Sequence, residues 1–265
     1  MPAASDDTAP EAPAMSTNAR NGDFVDAGGL RTYYEVAGDG SPLLLLHGGM
    51  CPVETFDGLT PLLAAQHRVY TPERRGHGRT PDVEGPITFA IMAADTIAFM
   101  EALPLERADL VGWSDGAAVA LRVALRRPDL VRRLVLIGQP VNSASVDASA
   151  KSELEEKGID VLPPFLRDLY AAVSPDGPEH FETVFEKLSP QWLSDDEIEL
   201  ADLKAVQAPT LVMAGEQDVL TAEHGAEMRD ALPDGRLQIV ADASHGLPME
   251  QPDVTSRFVL DFLAG

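Results

Sequence analysis

Five consecutive residues, Gly112-Trp113-Ser114-Asp115-Gly116, constrain this chain more than any other segment. They lie between an apolar run (Leu110, Val111) and an Ala/Leu/Val-rich helical stretch, so a single serine falls on a sharp strand-to-helix turn, the pattern of a nucleophile elbow. A serine hydroxyl attacks poorly unless a base takes its proton. The turn must therefore present Oγ at the end of the strand, where a histidine and an oxyanion site can converge on it. Gly112 and Gly116 fit that geometry, because a Cβ at either flank would collide with the neighbouring strand or helix.

The surrounding sequence supplies partners. Residues 42–46 (PLLLL) read as a short buried strand that runs into His47-Gly48-Gly49-Met50, a glycine turn suited to offering a backbone N–H to an oxyanion. Residues 209–214 form a second apolar run, followed by Gly215-Glu216-Gln217-Asp218, which places a carboxylate just beyond its end. Residues 237–240 form a third, leading through Ala241-Asp242-Ala243-Ser244 to His245-Gly246. The resulting chain order is Ser, Asp, His. Chymotrypsin-like and subtilisin-like enzymes carry the same groups in other orders, so the order itself is informative.

On these motifs, together with Arg75-Gly76-His77-Gly78-Arg79, the chain resembles the α/β-hydrolase superfamily from about Phe24 to Phe262. Its elbow is similar to that of small serine carboxylesterases, including the biphenyl hydrolase-like enzymes that cleave amino-acid esters. The resemblance implies an α/β fold with a mostly parallel eight-stranded sheet, flanking helices and a short helical cap. It implies a triad of Ser114, Asp218 and His245. It also implies an oxyanion hole made by the backbone N–H groups of Asp115 and Gly49, with Met50 as the alternative to Gly49.

The organisation agrees with one α/β domain carrying an insertion. Strand-like runs at 30–36, 42–46, 68–71, 108–113, 133–137, 209–214 and 237–240 alternate with helical patterns at 91–103 and 117–127, the second stopped by Pro128. Residues 1–22 are rich in Ala, Pro, Asp, Ser and Thr without an apolar stretch and read as a disordered tail with no signal-peptide h-region. The core is expected at 23–138 and 208–265. The cap is expected at 139–207, where acidic helical stretches and Pro163-Pro164 interrupt the alternation.

Charge and composition narrow the partners. With 43 acidic against 20 basic side chains the formal charge is −23, which disfavours nucleic acid and anionic membranes. No run approaches the roughly 20 apolar residues of a membrane span. The one cysteine, Cys51, allows no intrachain disulfide and fits a reducing cytoplasm. It lies near the glycine turn, but no elbow surrounds it, and packing is its expected role. Neither paired Cys or His ligands nor a phosphate-cradling glycine loop is found, so no metal or cofactor is expected. A monomer or homodimer is expected.

Competing residues sharpen the assignment. Of six histidines, His47 and His77 sit in glycine turns, His67 opens a strand, His180 lies in the expected cap and His224 in a helix; His245 alone follows the last strand. Glu216 competes with Asp218 as the acid, and Asp218 could instead cap a helix beginning near Thr221. Some members of the superfamily place the acid after the preceding strand, but Gly138-Gln139-Pro140 holds no carboxylate there. Arg75 and Arg79 are expected in structural salt bridges. Met50, Trp113 and Asp115 are candidates for the substrate pocket. Trp113 either walls it or fills the core. Asp115 either faces it, favouring cationic substrates, or turns away to accept hydrogen bonds from backbone or an arginine.

The expected activity is cofactor-independent hydrolysis of a small carboxylic ester or lactone through an acyl-enzyme. A serine at the elbow argues against the dehalogenase and epoxide-hydrolase branches, which use a carboxylate there. C–C hydrolase, perhydrolase, peptidase and acyltransferase chemistry are alternatives on the same triad, and a non-catalytic ligand-binding homologue is an alternative of another class.

Overall fold

The computed structural model describes residues 22–103, 105–146, 148–194 and 197–265. The tail expected at 1–22 lies outside the described residues, apart from Gly22, which opens the first strand. The strands are β1 (Gly22–Ala27), β2 (Leu30–Ala37), β3 (Ser41–Leu46), β4 (His67–Pro72), β5 (Ala108–Trp113), β6 (Val131–Ile137), β7 (Thr210–Gln217) and β8 (Gly235–Ser244). They form one eight-stranded sheet in the order β1-β2-β4-β3-β5-β6-β7-β8. The pairs β1/β2 and β2/β4 are antiparallel and all the others parallel.

Parallel strands need crossover connections, and these cover the sheet with helices. The helices are α1 (Thr60–Ala64), α2 (Phe89–Ala102), α3 (Asp115–Arg126), α4 (Ala148–Lys157), α5 (Pro164–Val173), α6 (His180–Leu188), α7 (Pro190–Ser194), α8 (Ala222–Ala231), α9 (Leu247–Glu250) and α10 (Pro252–Ala264). Central strands covered in this way carry continuous apolar runs. Leu43 to Leu46 on β3 are fully buried, and every residue of β5 is buried. The sequence pattern reads these strands correctly and misses β1, whose burial is slight because it is an edge hairpin partner.

Local signals fix the helix starts. Thr88 caps α2 by accepting from the Ile91 N–H at 3.1 Å, so the helix begins two residues before the expected 91. Helix α3 begins at Asp115, directly after the serine, rather than at 117. Helices α4 to α7 all fall between β6 and β7. Among the described residues no helix is long and apolar enough to cross a membrane.

Candidate active site

Ser114, Asp218 and His245 are each the first residue after a strand, β5, β7 and β8 respectively. In a parallel sheet the carboxyl ends of the strands lie at one edge, the place where open α/β sheets hold ligands. Ser114 adopts φ 53° and ψ −126°, a strained conformation for a residue with a side chain. Its N–H donates to the Ile137 carbonyl at 2.8 Å, and its own carbonyl accepts from Ala117 N–H at 2.7 Å. The turn is closed by contact: a Cβ on Gly116 would strike the Leu46 carbonyl, and one on Gly112 would strike the Gly116 backbone.

The turn delivers Ser114 Oγ to 2.9 Å from His245 Nε2, while His245 Nδ1 lies 2.8 Å from Asp218 Oδ1. The Asp218 side chain is fully buried. Its oxygens also accept from the Gly215 and Leu220 N–H groups at 3.4 Å, and the helix after it is capped by Thr221, not by Asp218. Glu216 is exposed and turned to the Asp242 N–H, away from the imidazole. Burial works against charge on His245, but the Asp218 carboxylate, followed by those of Asp115 and Glu250, outweighs it and holds the imidazole pKa above its usual range. The imidazole is also fixed from its backbone: Trp113 Nε1 donates to the His245 carbonyl at 2.8 Å.

Gly138, the first residue after β6, has φ 68°. A Cβ there would sit 3.0 Å from Asp218 Oδ2 and 3.2 Å from His245 Nδ1. The end of β6 thus abuts the same Asp218–His245 pair that β7 and β8 carry.

A cavity of about 730 Å³ opens onto Ser114 and His245. Its floor includes Gly48, Gly49, Trp113 and Asp115. Its other walls come from the helices between β6 and β7, with Leu154, Phe165, Leu166 and Trp192 among them, and from Phe89 of α2 and Met249 of α9. Trp113 therefore both walls the cavity and packs in the core, against Phe56 at 6.1 Å between ring centroids. Met50 is a correction to the sequence reading: it has φ 58°, is buried in the core at 2% exposed, and is not among the residues lining the cavity. Cys51 does line it, buried, with its thiol pKa pushed up by burial.

Asp115 is buried and lines the cavity, the first of the two sequence alternatives, and its Oδ1 accepts from Trp192 Nε1 at 2.9 Å, a partner from α7 that the sequence reading does not name. Nothing in the sequence pairs positions 115 and 192, which lie on elements 77 residues apart. Arg75 and Arg79 form the expected ion pairs, the first with Asp95 at 2.6 Å and the second with Glu73 at 2.9 Å and with Glu54. Among the described residues no group of three or more His, Cys, Asp or Glu side chains is placed to hold a metal ion.

A family model described as the Alpha/beta hydrolase family matches residues 43–258. The chain is 28% identical to a 2-hydroxy-6-oxo-2,4-heptadienoate hydrolase of Pseudomonas putida, over 94% of this chain and 98% of that one. It is 27% identical to the serine hydrolase BPHL of Mus musculus, over 90% and 85% respectively. A solved structure of a serine hydrolase involved in carbazole degradation, the CarC enzyme, is similar with a TM-score of 0.78 at 26% identity, covering 93% of this chain and 99% of that one.

Proposed function

The chain belongs to the alpha/beta hydrolase family, and from that premise we propose that it hydrolyses small carboxylic esters or lactones through a Ser114 acyl-enzyme. The observation that carries the reading is the unbroken contact from Ser114 Oγ through His245 to Asp218, at 2.9 and 2.8 Å. His245 Nε2 takes the hydroxyl proton as Oγ adds to the carbonyl, then returns it to the leaving alkoxide as the ester C–O bond breaks. Water, deprotonated by the same nitrogen, adds to the acyl group and releases the acid and Ser114. Asp218 holds the Nδ1–H tautomer and stabilises the imidazolium. The N–H groups of Asp115 and Gly49 receive the oxyanion. Residues 139–207 act as the cap over the core of 23–138 and 208–265. No cofactor enters this scheme, and cytoplasmic location is part of the same reading.

C–C hydrolysis is the second reading, favoured by the similarity to a hydrolase whose named substrate carries a 6-oxo group and a carboxylate. The cavity weighs against it. Its charged lining residues are the carboxylates Asp115, Glu153 and Glu250 and one ammonium, Lys151, and Asp115 is adjacent to the nucleophile. A carboxylate-bearing dienoate would meet like charge where water is scarce, whereas a neutral or cationic ester would not. The deciding comparison is kcat/KM for p-nitrophenyl esters, lactones and 2-hydroxy-6-oxo-2,4-heptadienoate. Esters or lactones are expected to lead, and a preference for the dienoate would replace this reading with C–C hydrolysis.

A further inference from the structure

The sequence motifs draw attention to Arg75 and Arg79, yet the arginine that contacts the glycine turn is Arg74, two residues beyond β4 and 3% exposed. Its guanidinium Nη2 donates to the Gly48 carbonyl at 2.8 Å and to the His47 carbonyl at 2.6 Å. The Arg74 backbone N–H donates to His47 Nε2 at 3.1 Å, which makes that nitrogen the acceptor and assigns the proton to Nδ1, itself 3.0 Å from Arg74 Nη2. Nδ1 lies 2.8 Å from the same Gly48 carbonyl. These two donors, one charged, hold this oxygen together with the Cys51 N–H at 3.4 Å. Burial, then the Arg74 charge, keeps His47 from protonating, so the Nδ1–H tautomer persists.

The Gly48 carbonyl and the Gly49 N–H belong to one peptide unit. In a planar trans peptide they point in opposite directions. A clamp on the carbonyl from the core side thus aims the Gly49 N–H away from the core, and Gly49 faces the cavity beside Ser114. A cation on the carbonyl also polarises the amide and strengthens its N–H as a donor. Arg74 Nε and Nη1 find no partner among the described residues. Burial lowers the pKa of Arg74 to about 10, which leaves it charged at neutral pH, and the Asp115 carboxylate acts to keep it so.

We propose that Arg74 is a positioning residue of the oxyanion hole, orienting and polarising the Gly48–Gly49 peptide through the Gly48 carbonyl. The proposal rests on the reading of the Gly49 N–H as an oxyanion donor in a serine hydrolase. Its effect belongs to the transition state, where the oxyanion exists, and not to ground-state binding.

The test uses the full chain as wild type, Arg74→Met and Arg74→Lys. Each is assayed for kcat and KM on a p-nitrophenyl ester, for affinity toward a trifluoromethyl ketone that forms a hemiketal oxyanion, and for affinity toward the corresponding alcohol, which cannot. Arg74→Met is expected to lower kcat and ketone affinity together, by on the order of 100-fold, with KM and alcohol affinity little changed. Arg74→Lys, keeping a charge and a donor, is expected to recover part of both losses. Equal ketone affinity in wild type and a folded Arg74→Met overturns the proposal, as does an equal loss of ketone and alcohol binding. If Arg74→Met does not fold, Arg74→Lys decides, and ketone affinity unchanged from wild type overturns the proposal. A wild type that neither turns over esters nor binds the ketone overturns the hydrolase reading, and the inference with it.

Discussion

At the scale of single residues, the site is a set of side chains whose protonation is set by their neighbours. In the proposed reaction His245 must be neutral to accept the Ser114 proton, and its pKa is held above 6.5 by Asp218, Asp115 and Glu250 against the effect of burial. Activity should therefore fall as pH drops through a value above 6.5, as His245 becomes protonated. Removing the Asp115 charge should lower that pKa, so the acid limb of kcat/KM in Asp115→Asn is expected at lower pH than in wild type. An unmoved limb would mean that Asp115 does not act on the imidazole. For the acid itself, Asp218→Asn should reduce kcat by on the order of ten-thousandfold, because the imidazole loses its tautomer and its counter-charge. Glu216→Gln, altering an exposed side chain turned away from the ring, should leave kcat nearly unchanged; the reverse pattern would transfer the role to Glu216.

At the scale of elements, close backbone approach dictates what can be substituted. Gly116→Ala would drive a methyl group into the Leu46 carbonyl, a backbone atom that no rotamer change can move. It is expected to cost about 2 kcal/mol or more in urea unfolding, and a neutral result would contradict the packing described for the elbow. The inserted helices are tied to the elbow by the Trp192–Asp115 hydrogen bond. Trp192→Phe keeps the aromatic contact with Phe185 but loses the donor, and should cost about 1.5–3 kcal/mol by the same measurement, as expected for a hydrogen bond to a charged group. These elements also mark what the sequence could reveal. Strands β3, β5, β6 and β7 are legible because burial on both faces leaves continuous apolar runs, and the meeting of Ser114, Asp218 and His245 is legible because each follows such a run or, for His245, the shorter apolar stretch of β8. The Trp192–Asp115 contact and the Arg74 clamp are not legible, since both join segments distant in the chain through tertiary packing. Met50 misled for a related reason: its burial comes from the core cluster it packs into, which joins segments distant in the chain.

At the scale of the whole molecule, charge and catalysis make separate demands. A chain of formal charge −23 repels itself when folded, and added salt screens that repulsion over a Debye length of about 10 Å at 0.1 M. The melting temperature is therefore expected to rise between low salt and about 0.5 M NaCl, and a flat or falling curve would contradict the self-repulsion argument. The catalytic claim makes one covalent event the signature of the intact protein. A fluorophosphonate should add to the folded chain once, with loss of fluoride, and peptide mass spectrometry should find the adduct on Ser114. Ser114→Ala should take up no label and hydrolyse no ester while keeping the wild-type melting temperature. An adduct on any other residue, or no adduct in a folded wild type, would contradict the assignment of Ser114 as the nucleophile.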